Sequence, residues 1–299
     1  MITDSATSPF LPHHDEAYRR WRDTKLATAP GSVDELMVTL VDPLHPSGAE
    51  LAAIRQRLQQ SNMAIYASAQ PVEEGRQVPL QIGAALGLGC ADRNYLADDE
   101  ALSAITVRPE AGARGYIPYT TQALNWHTDG YYNQGEQTIR AFILHCSQDA
   151  AVGGSNRLLD PELLYILIRE QDPALIEALM APTAMTIPAH IGDDGRELRA
   201  EAAGPVFSID EDGALLTRYT ARRRNVIWHD DPITSHARAL ISELLATADQ
   251  VLTARLAPGM GLICNNVLHD RAAFQDPPDA PPRLLFRARF SRRISREMG

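Results

Sequence analysis

The segment Trp126-His127-Thr128-Asp129-Gly130 and a distant His269, in Asn265-Asn266-Val267-Leu268-His269, carry the residue types with the most chemical reach in this chain. Two imidazoles and one carboxylate can hold one face of an octahedral divalent metal such as Fe(II) and leave the other face open. Strand side chains repeat every two residues, so a His-x-Asp pair on a strand sends both ligands the same way. The long interval between His127 and His269 leaves room for most of a barrel, with the pair on an early strand and the far histidine on a late one.

Other histidines compete for this role. His229-Asp230-Asp231 is a second His-x-Asp, but it lies close to His269 in sequence, and Asp231 stands before Pro232 as an ordinary helix-start acid. His13-His14-Asp15 falls in the N-terminal segment, and His145 sits on an apolar strand, as a satisfied core histidine would. His190 and His236 have no partner in the pattern. The spacing therefore favours His127, Asp129 and His269.

Downstream comes Pro282-Arg283-Leu284-Leu285-Phe286-Arg287-Ala288-Arg289-Phe290. On a strand Arg283, Leu285, Arg287 and Arg289 share one face. Arginines facing together cannot all be buried unpaired, because the cost of desolvating them is too large. They are either solvated and salt-bridged, or they clamp an anion, for which the planar guanidinium fork is suited.

With these residues in view the chain resembles the Fe(II)/2-oxoglutarate-dependent dioxygenases of the taurine dioxygenase and clavaminate synthase-like superfamily. The matching motifs are Trp126-His127-Thr128-Asp129, Gly153-Gly154-Ser155-Asn156-Arg157-Leu158-Leu159, Asn266-Val267-Leu268-His269 and Arg283-x-x-x-Arg287, in that order. The stretch from Gly204-Pro205-Val206-Phe207-Ser208-Ile209-Asp210 to Arg218-Tyr219 further resembles the glutarate hydroxylase branch. The resemblance covers residues 105–291, and the first hundred match only in general character. It implies a double-stranded β-helix, or jelly roll, with Fe(II) on His127, Asp129 and His269. It implies 2-oxoglutarate as co-substrate and dioxygen as oxidant, with succinate and CO2 released as a small substrate is hydroxylated.

The same resemblance assigns the co-substrate's distal carboxylate to Arg283, helped by the Gly-Gly segment and Asn156, where the family often has threonine. Arg287 matches a position that often reaches substrate, and the division of labour among Arg283, Arg287 and Arg289 stays open. Tyr131 and Asn133, just past the motif, are candidate substrate contacts. Related halogenases replace the carboxylate ligand with a small residue, so an intact Asp129 implies oxygen insertion or desaturation. The alternatives are a desaturase on the same site and a non-oxidative metalloenzyme on the same barrel.

The elements that must position these residues can be read from pattern. Residues 15–26 form an amphipathic helix. Ser47 to Glu50 is a capping box opening a helix over 51–60, and Asp160-Pro161 opens another. Strands are expected at 37–41, 64–68, 105–108, 123–127, 139–145, 184–188, 205–209, 214–219, 225–228, 251–256, 259–264 and 283–290, with helices over 78–88, 174–180 and 233–247. Helices cluster early and strands late, unlike a βαβα alternation. The expected class is α+β, mostly β: a jelly roll with flanking α-helices. It forms a single domain over 1–299, with a helical and mixed part to about residue 100 and a core over 101–291 carrying helical insertions.

Composition narrows the function. The chain has 299 residues, 44% of them hydrophobic, with a formal net charge of −10. It can bury a sizeable core, and its acidity disfavours a nucleic-acid partner. No apolar run is long enough to span a bilayer, and the first residues lack a leader pattern, so a cytoplasmic protein acting on a small molecule is expected. Cys90, Cys146 and Cys264 are too scattered for a zinc site or disulfide framework. Lys25 is the sole lysine and reads as surface-exposed, which removes P-loop and Schiff-base chemistry. Gly87-Leu88-Gly89 lacks the third glycine and the preceding strand of a dinucleotide fingerprint. Arg218 and Arg222-Arg223-Arg224 could meet an anion or form a solvated face.

Overall fold

Local hydrogen bonding explains where the helices begin. In the computed structural model Ser47 Oγ accepts from the Glu50 amide while the Glu50 carboxylate accepts from the Ser47 amide, and helix Gly48–Ser61 follows. Asp160 caps helix Pro161–Gln171 through the Glu162 amide, and Asp231 caps helix Pro232–Thr247 through the amides of Ile233 and Thr234. The structure describes residues 8–70, 72, 75–92, 101–108, 116–192, 194–279 and 281–295. The start of the N-terminal segment that was read for a leader lies outside them.

The helices are α1 (Asp15–Thr28), α2 (Gly48–Ser61), α3 (Val78–Ala85), α4 (Pro161–Gln171), α5 (Pro173–Met180) and α6 (Pro232–Thr247). The strands of the two larger sheets are β1 (Met37–Leu40), β2 (Met63–Ser68), β3 (Leu102–Ile105), β4 (Leu124–His127), β5 (Ala141–Gln148), β6 (Asn156–Leu159), β7 (Leu252–Ala254), β8 (Met260–Cys264), β9 (Leu268–Arg271) and β10 (Leu284–Phe290). Among the described residues the larger sheet has six strands in the order β1-β2-β8-β5-β10-β3, and the other has four in the order β7-β6-β9-β4. The fold is mixed, with strands dominating, as the sequence pattern suggests. The strand expected at 105–108 lies a few residues earlier, at Leu102–Ile105.

Alternation divides the core. Phe142, Leu144 and Cys146 of β5 join Leu262 and Leu285 in a cluster with Leu158 and Leu252 of the smaller sheet. The intervening Ala141 and Ile143 join Ile263, Ala288 and Phe290 against Ile54 and Leu58 of α2 and Ile82 of α3. Leu285 of β10 thus faces the smaller sheet, so Arg283, Arg287 and Arg289 of the same parity also point inward. A third cluster packs Phe10, Tyr18, Leu164, Tyr165, Ile176 and Ile241 among α1, α4, α5 and α6.

One expectation fails here. Lys25 is not a surface residue: it is 4% exposed, with Nζ 2.5 Å from Asp160 Oδ2 and 2.8 Å from Glu162 Oε2. A buried ammonium needs such partners, and two carboxylates at the start of α4 provide them. The helical spacing carried the signal, since residues 18, 21 and 25 fall on one face. His145, by contrast, is the core histidine it resembled: Tyr66 Oη lies 2.9 Å from its Nδ1.

Candidate metal centre

Antiparallel pairing of β9 with β4 sets His269 directly opposite His127 in register. That single long-range pairing brings the two imidazole centroids to 4.2 Å. Asp129 completes the group: its Oδ1 lies 3.7 Å from His127 Nε2 and 3.9 Å from His269 Nε2, and all three residues are buried. This set could hold a metal ion.

The protonation states suit that task. His127 Nδ1 lies 2.9 Å from Asn125 O, and His269 Nδ1 lies 3.0 Å from Val267 O. A carbonyl only accepts, so each Nδ1 carries the proton and each Nε2 presents a lone pair to the Asp129 side. Burial holds the His127 imidazole down at about 3 and also lowers that of His269. Burial pushes the Asp129 carboxyl up, but Arg287, His269 and Arg289 outweigh it and hold it down at about 2. Near neutral pH the site therefore presents two neutral imidazoles and one carboxylate.

The chain around the pair is held from two sides. Thr128, fully buried, exchanges backbone hydrogen bonding with the 219 segment: its amide donates to Tyr219 O, and its Oγ1 accepts from the Tyr219 amide. On the other side the Asn266 side chain meets the Asp129 backbone. Gly130 takes φ +65, the left-handed region, and a Cβ there would lie 2.5 Å from Ile139. The sharp turn after the carboxylate therefore needs glycine.

A narrow cavity beside the triad is lined by His127, His269, Asn156, Arg271, Arg283 and Arg287 with Phe142 and Leu144. Arg283 is 6% exposed and stands over the Phe274 ring at 5.1 Å. No carboxylate pairs with its guanidinium among the described residues, and burial lowers its pKa. Gly153 and Gly154 lie behind it: a Cβ on Gly153 would sit 2.2 Å from Ala273 O, and one on Gly154 3.4 Å from Arg283 Nε. Asn156 lines the same cavity, but its amide nitrogen donates to Asp270 O at 2.7 Å.

The other arginines separate by partner. Arg287 Nη1 donates to Asp129 Oδ1 at 3.1 Å and stands 3.0 Å from Oδ2, so it lies on the carboxylate instead of standing free. Arg289 pairs with Asp92 at 2.6 Å and reaches Tyr132 Oη at 3.4 Å. Arg218 is no anion contact, because its guanidinium donates to the carbonyls of Tyr131, Met185, Ala202, Gly204 and Pro205. Arg222 sits over the Tyr131 ring at 5.8 Å.

Arg271 was not singled out from the sequence. It is 4% exposed and ties the loop at 117–122 over the narrow cavity through the carbonyls of Pro118, Thr120 and Gln122. Strand alternation from His269 placed it on the same side two residues on, so the signal was there.

Tyr131 and Asn133 line a larger cavity of about 420 Å³ on the far side of Asp129, with Arg140, Ser208 and Thr217. Tyr131 is 8% exposed and its ring meets His127 edge-on at 6.5 Å. Asn133 Nδ2 donates to Gln137 O at 2.8 Å, which pins the loop.

The taurine catabolism dioxygenase TauD, TfdA family matches residues 30–289, so the chain belongs to that family. An Amycolatopsis uridine-5'-phosphate dioxygenase is 36% identical over 177 residues, 56% of this chain and 60% of that protein. A Streptomyces uridine-5'-phosphate dioxygenase is 31% identical over 201 residues, 64% of this chain and 69% of that protein. The match to the first thus spans less than two thirds of its length. Among solved structures, asparagine oxygenase in complex with Fe(II), 2S,3S-3-hydroxyasparagine and succinate superposes with a TM-score of 0.60 at 15% identity, covering 85% of this chain and 93% of that one.

Proposed function

We propose that this protein hydroxylates a small anionic metabolite, with Fe(II) held by His127, Asp129 and His269 and with 2-oxoglutarate converted to succinate and CO2. The observation that carries the reading is a narrow cavity lined by both His127 and His269, beside Asp129, and by Arg283, whose guanidinium pairs with no carboxylate among the described residues. The donor chemistry fits Fe(II), since imidazole and carboxylate leave a facial set of positions open. The cavity fits a dicarboxylate, because among the described residues the buried Nε atoms of Arg271 and Arg287 have no hydrogen-bond partner and the Arg283 guanidinium forms no ion pair. When bound, iron and 2-oxoglutarate would activate dioxygen, the oxidant, for attack on an unactivated C–H bond.

The residues then divide the work. Arg283 would hold the distal carboxylate of 2-oxoglutarate, with Asn156 and the Gly153-Gly154 turn shaping that end. Arg287, whose Nη1 lies against both oxygens of Asp129, would hold that carboxylate in place and would offer its remaining donors toward substrate. Tyr131 and Asn133 would form one wall of the substrate cavity. Its volume of about 420 Å³ lies in the range of small-molecule sites. The arrangement of the two larger sheets supports a double-stranded β-helix within a single domain.

Charge argues for an anionic substrate. Of Arg271, Arg283, Arg287 and Arg289, only Arg287 and Arg289 form an ion pair among the described residues, with Asp129 and Asp92. A metal dication adds to that excess, and one dicarboxylate removes part of it. A phosphate or second carboxylate on the substrate balances what is left, and the two uridine-5'-phosphate dioxygenase relatives make a nucleoside monophosphate the first candidate.

The test begins with anaerobic Fe(II) and 2-oxoglutarate, which should give a visible charge-transfer band. Succinate release is then screened over nucleoside monophosphates, amino acids, dicarboxylates and sulfonates. A nucleotide-dependent rise with a product heavier by one oxygen supports the reading. A product lighter by two hydrogens makes the enzyme a desaturase. No band and no succinate would leave a non-oxidative metalloenzyme.

A further inference from the structure

Two neighbouring asparagines, Asn265 and Asn266, precede the His269 strand, and the fold sends their side chains in opposite directions. Asn266 is 7% exposed and has φ 52, in the left-handed region. Its Oδ1 accepts from the Asp129 amide at 2.8 Å. Its Nδ2 donates to Asp129 O at 3.0 Å and to Ile139 O at 2.7 Å. The side-chain amide therefore pairs with both backbone groups of Asp129, as a neighbouring strand would, and ties them to the start of β5. Asn265 turns away: its Nδ2 donates to Ile294 O at 3.4 Å, and its Oδ1 accepts from the Ile294 amide at 2.9 Å.

We infer that Asn266 is a positioning residue for metal binding: by pairing with the Asp129 backbone from the segment that carries His269, it sets the distance between the carboxylate and both imidazoles. The physical ground is that β4 ends at His127, two residues short of Asp129. Past that point the Thr128 amide still bonds Tyr219 O, but Asp129 lies in no strand ladder among the described residues, and Gly130 turns the chain sharply away. Backbone pairing at Asp129 then comes from the Asn266 side chain. A buried amide with its oxygen and both N–H donors engaged is rigid, and replacing one partner leaves the others unpaired. Since Asn266 lies three residues before His269, one short segment governs two of the three ligands. The same left-handed φ suits asparagine, which tolerates it better than most residues.

The role rests on the metal reading above, and the experiment separates the two. Asn266→Gly removes the amide and keeps the left-handed backbone free of strain. Asn266→Asp keeps shape and acceptor but deletes both donors, and it serves if the glycine variant folds poorly. Asn265→Ala is the neighbouring control. Two quantities are read on each: Co(II) affinity by anaerobic titration of its visible bands, and hydrogen exchange of the Asp129 amide in metal-free protein. Loss of such a ligand-orienting partner typically weakens metal affinity by about 10- to 100-fold.

The expected result is a loss of that size in both Asn266 variants, with faster exchange at the Asp129 amide in the glycine variant. Asn265→Ala should keep parental affinity and exchange even if its melting temperature falls. The inference is overturned if either folded Asn266 variant binds Co(II) within about threefold of the parent. It is equally overturned if Asn265→Ala loses as much, since general loosening would then explain both. A parent protein that binds no Co(II) sinks the metal reading itself, and this role with it.

Discussion

The chain has three His-x-Asp segments, at His13, His127 and His229, and the last two have nearly the same local geometry. His127 Nε2 lies 3.7 Å from Asp129, and His229 Nε2 lies 3.9 Å from Asp231. Each histidine lies at or just past the end of a strand, since β4 closes at His127 and a short strand ends at Trp228. What differs is everything non-local. The His229 and Asp231 side chains are 53% and 29% exposed, against 10% and 4% for His127 and Asp129. Asp231 spends its carboxylate on the amides of Ile233 and Thr234 at the start of α6. Asp129 leaves its own amide to Asn266 and offers its carboxylate to a second histidine delivered by strand pairing. A motif of three residues could hold a metal only where the sheet supplies burial and a third candidate ligand.

The comparison can be broken most decisively at Asp129. Replacing it with alanine should abolish stoichiometric Fe(II) binding and cut succinate formation by at least about a thousandfold, some 4 kcal/mol of lost transition-state stabilisation. Turnover near the parental level would mean that the buried pair is no more a metal site than the exposed one.

Acid should sharpen the contrast next. His127 is buried neutral, with its pKa lowered to about 3, so the unfolded chain takes up the proton more readily than the folded one. The contribution of His127 to the stability of the metal-free protein is thus fully present above about pH 6.5 and is lost as pH falls toward 3, by on the order of 4 kcal/mol. Urea melts across that range should show a flatter profile for His127→Ala. A profile for His127→Ala that parallels the parent would contradict the assignment.

Arg283→Gln is the third test. Removing a buried charged partner costs about 1.5 to 3 kcal/mol, so KM for 2-oxoglutarate should rise roughly 10- to 100-fold with Fe(II) affinity retained. An unchanged KM would move the clamp to another arginine. The smallest effect belongs to Asp231→Ala, which should cost about 1 kcal/mol of stability as a lost helix cap and leave metal affinity alone. A fall in metal affinity there would erase the distinction between the pairs.

Features held by local chemistry were legible. The caps at Ser47, Asp160 and Asp231 depend on residues two or three apart, and each appears where the spacing puts it. The shared face of Arg283, Leu285 and Arg287 follows from strand alternation. Features held by distant pairing were not. Nothing near Arg218 announces that five carbonyls converge on it, and nothing near Lys25 announces Asp160 and Glu162. The partners of Arg287 and Arg289 likewise come from loops far away in sequence. Asn266 belongs to both groups, since the motif around it was visible and its bond to Asp129 was not.

The burial of Lys25 also has a practical side. Folded, the molecule offers no accessible lysine side chain, because its single one is closed between α1 and α4. Acylating reagents and lysine-specific proteases should therefore reach position 25 only when α1 lifts from α4. Modification at that residue, followed by mass spectrometry, turns the native chain into its own clock for the opening of the N-terminal helix.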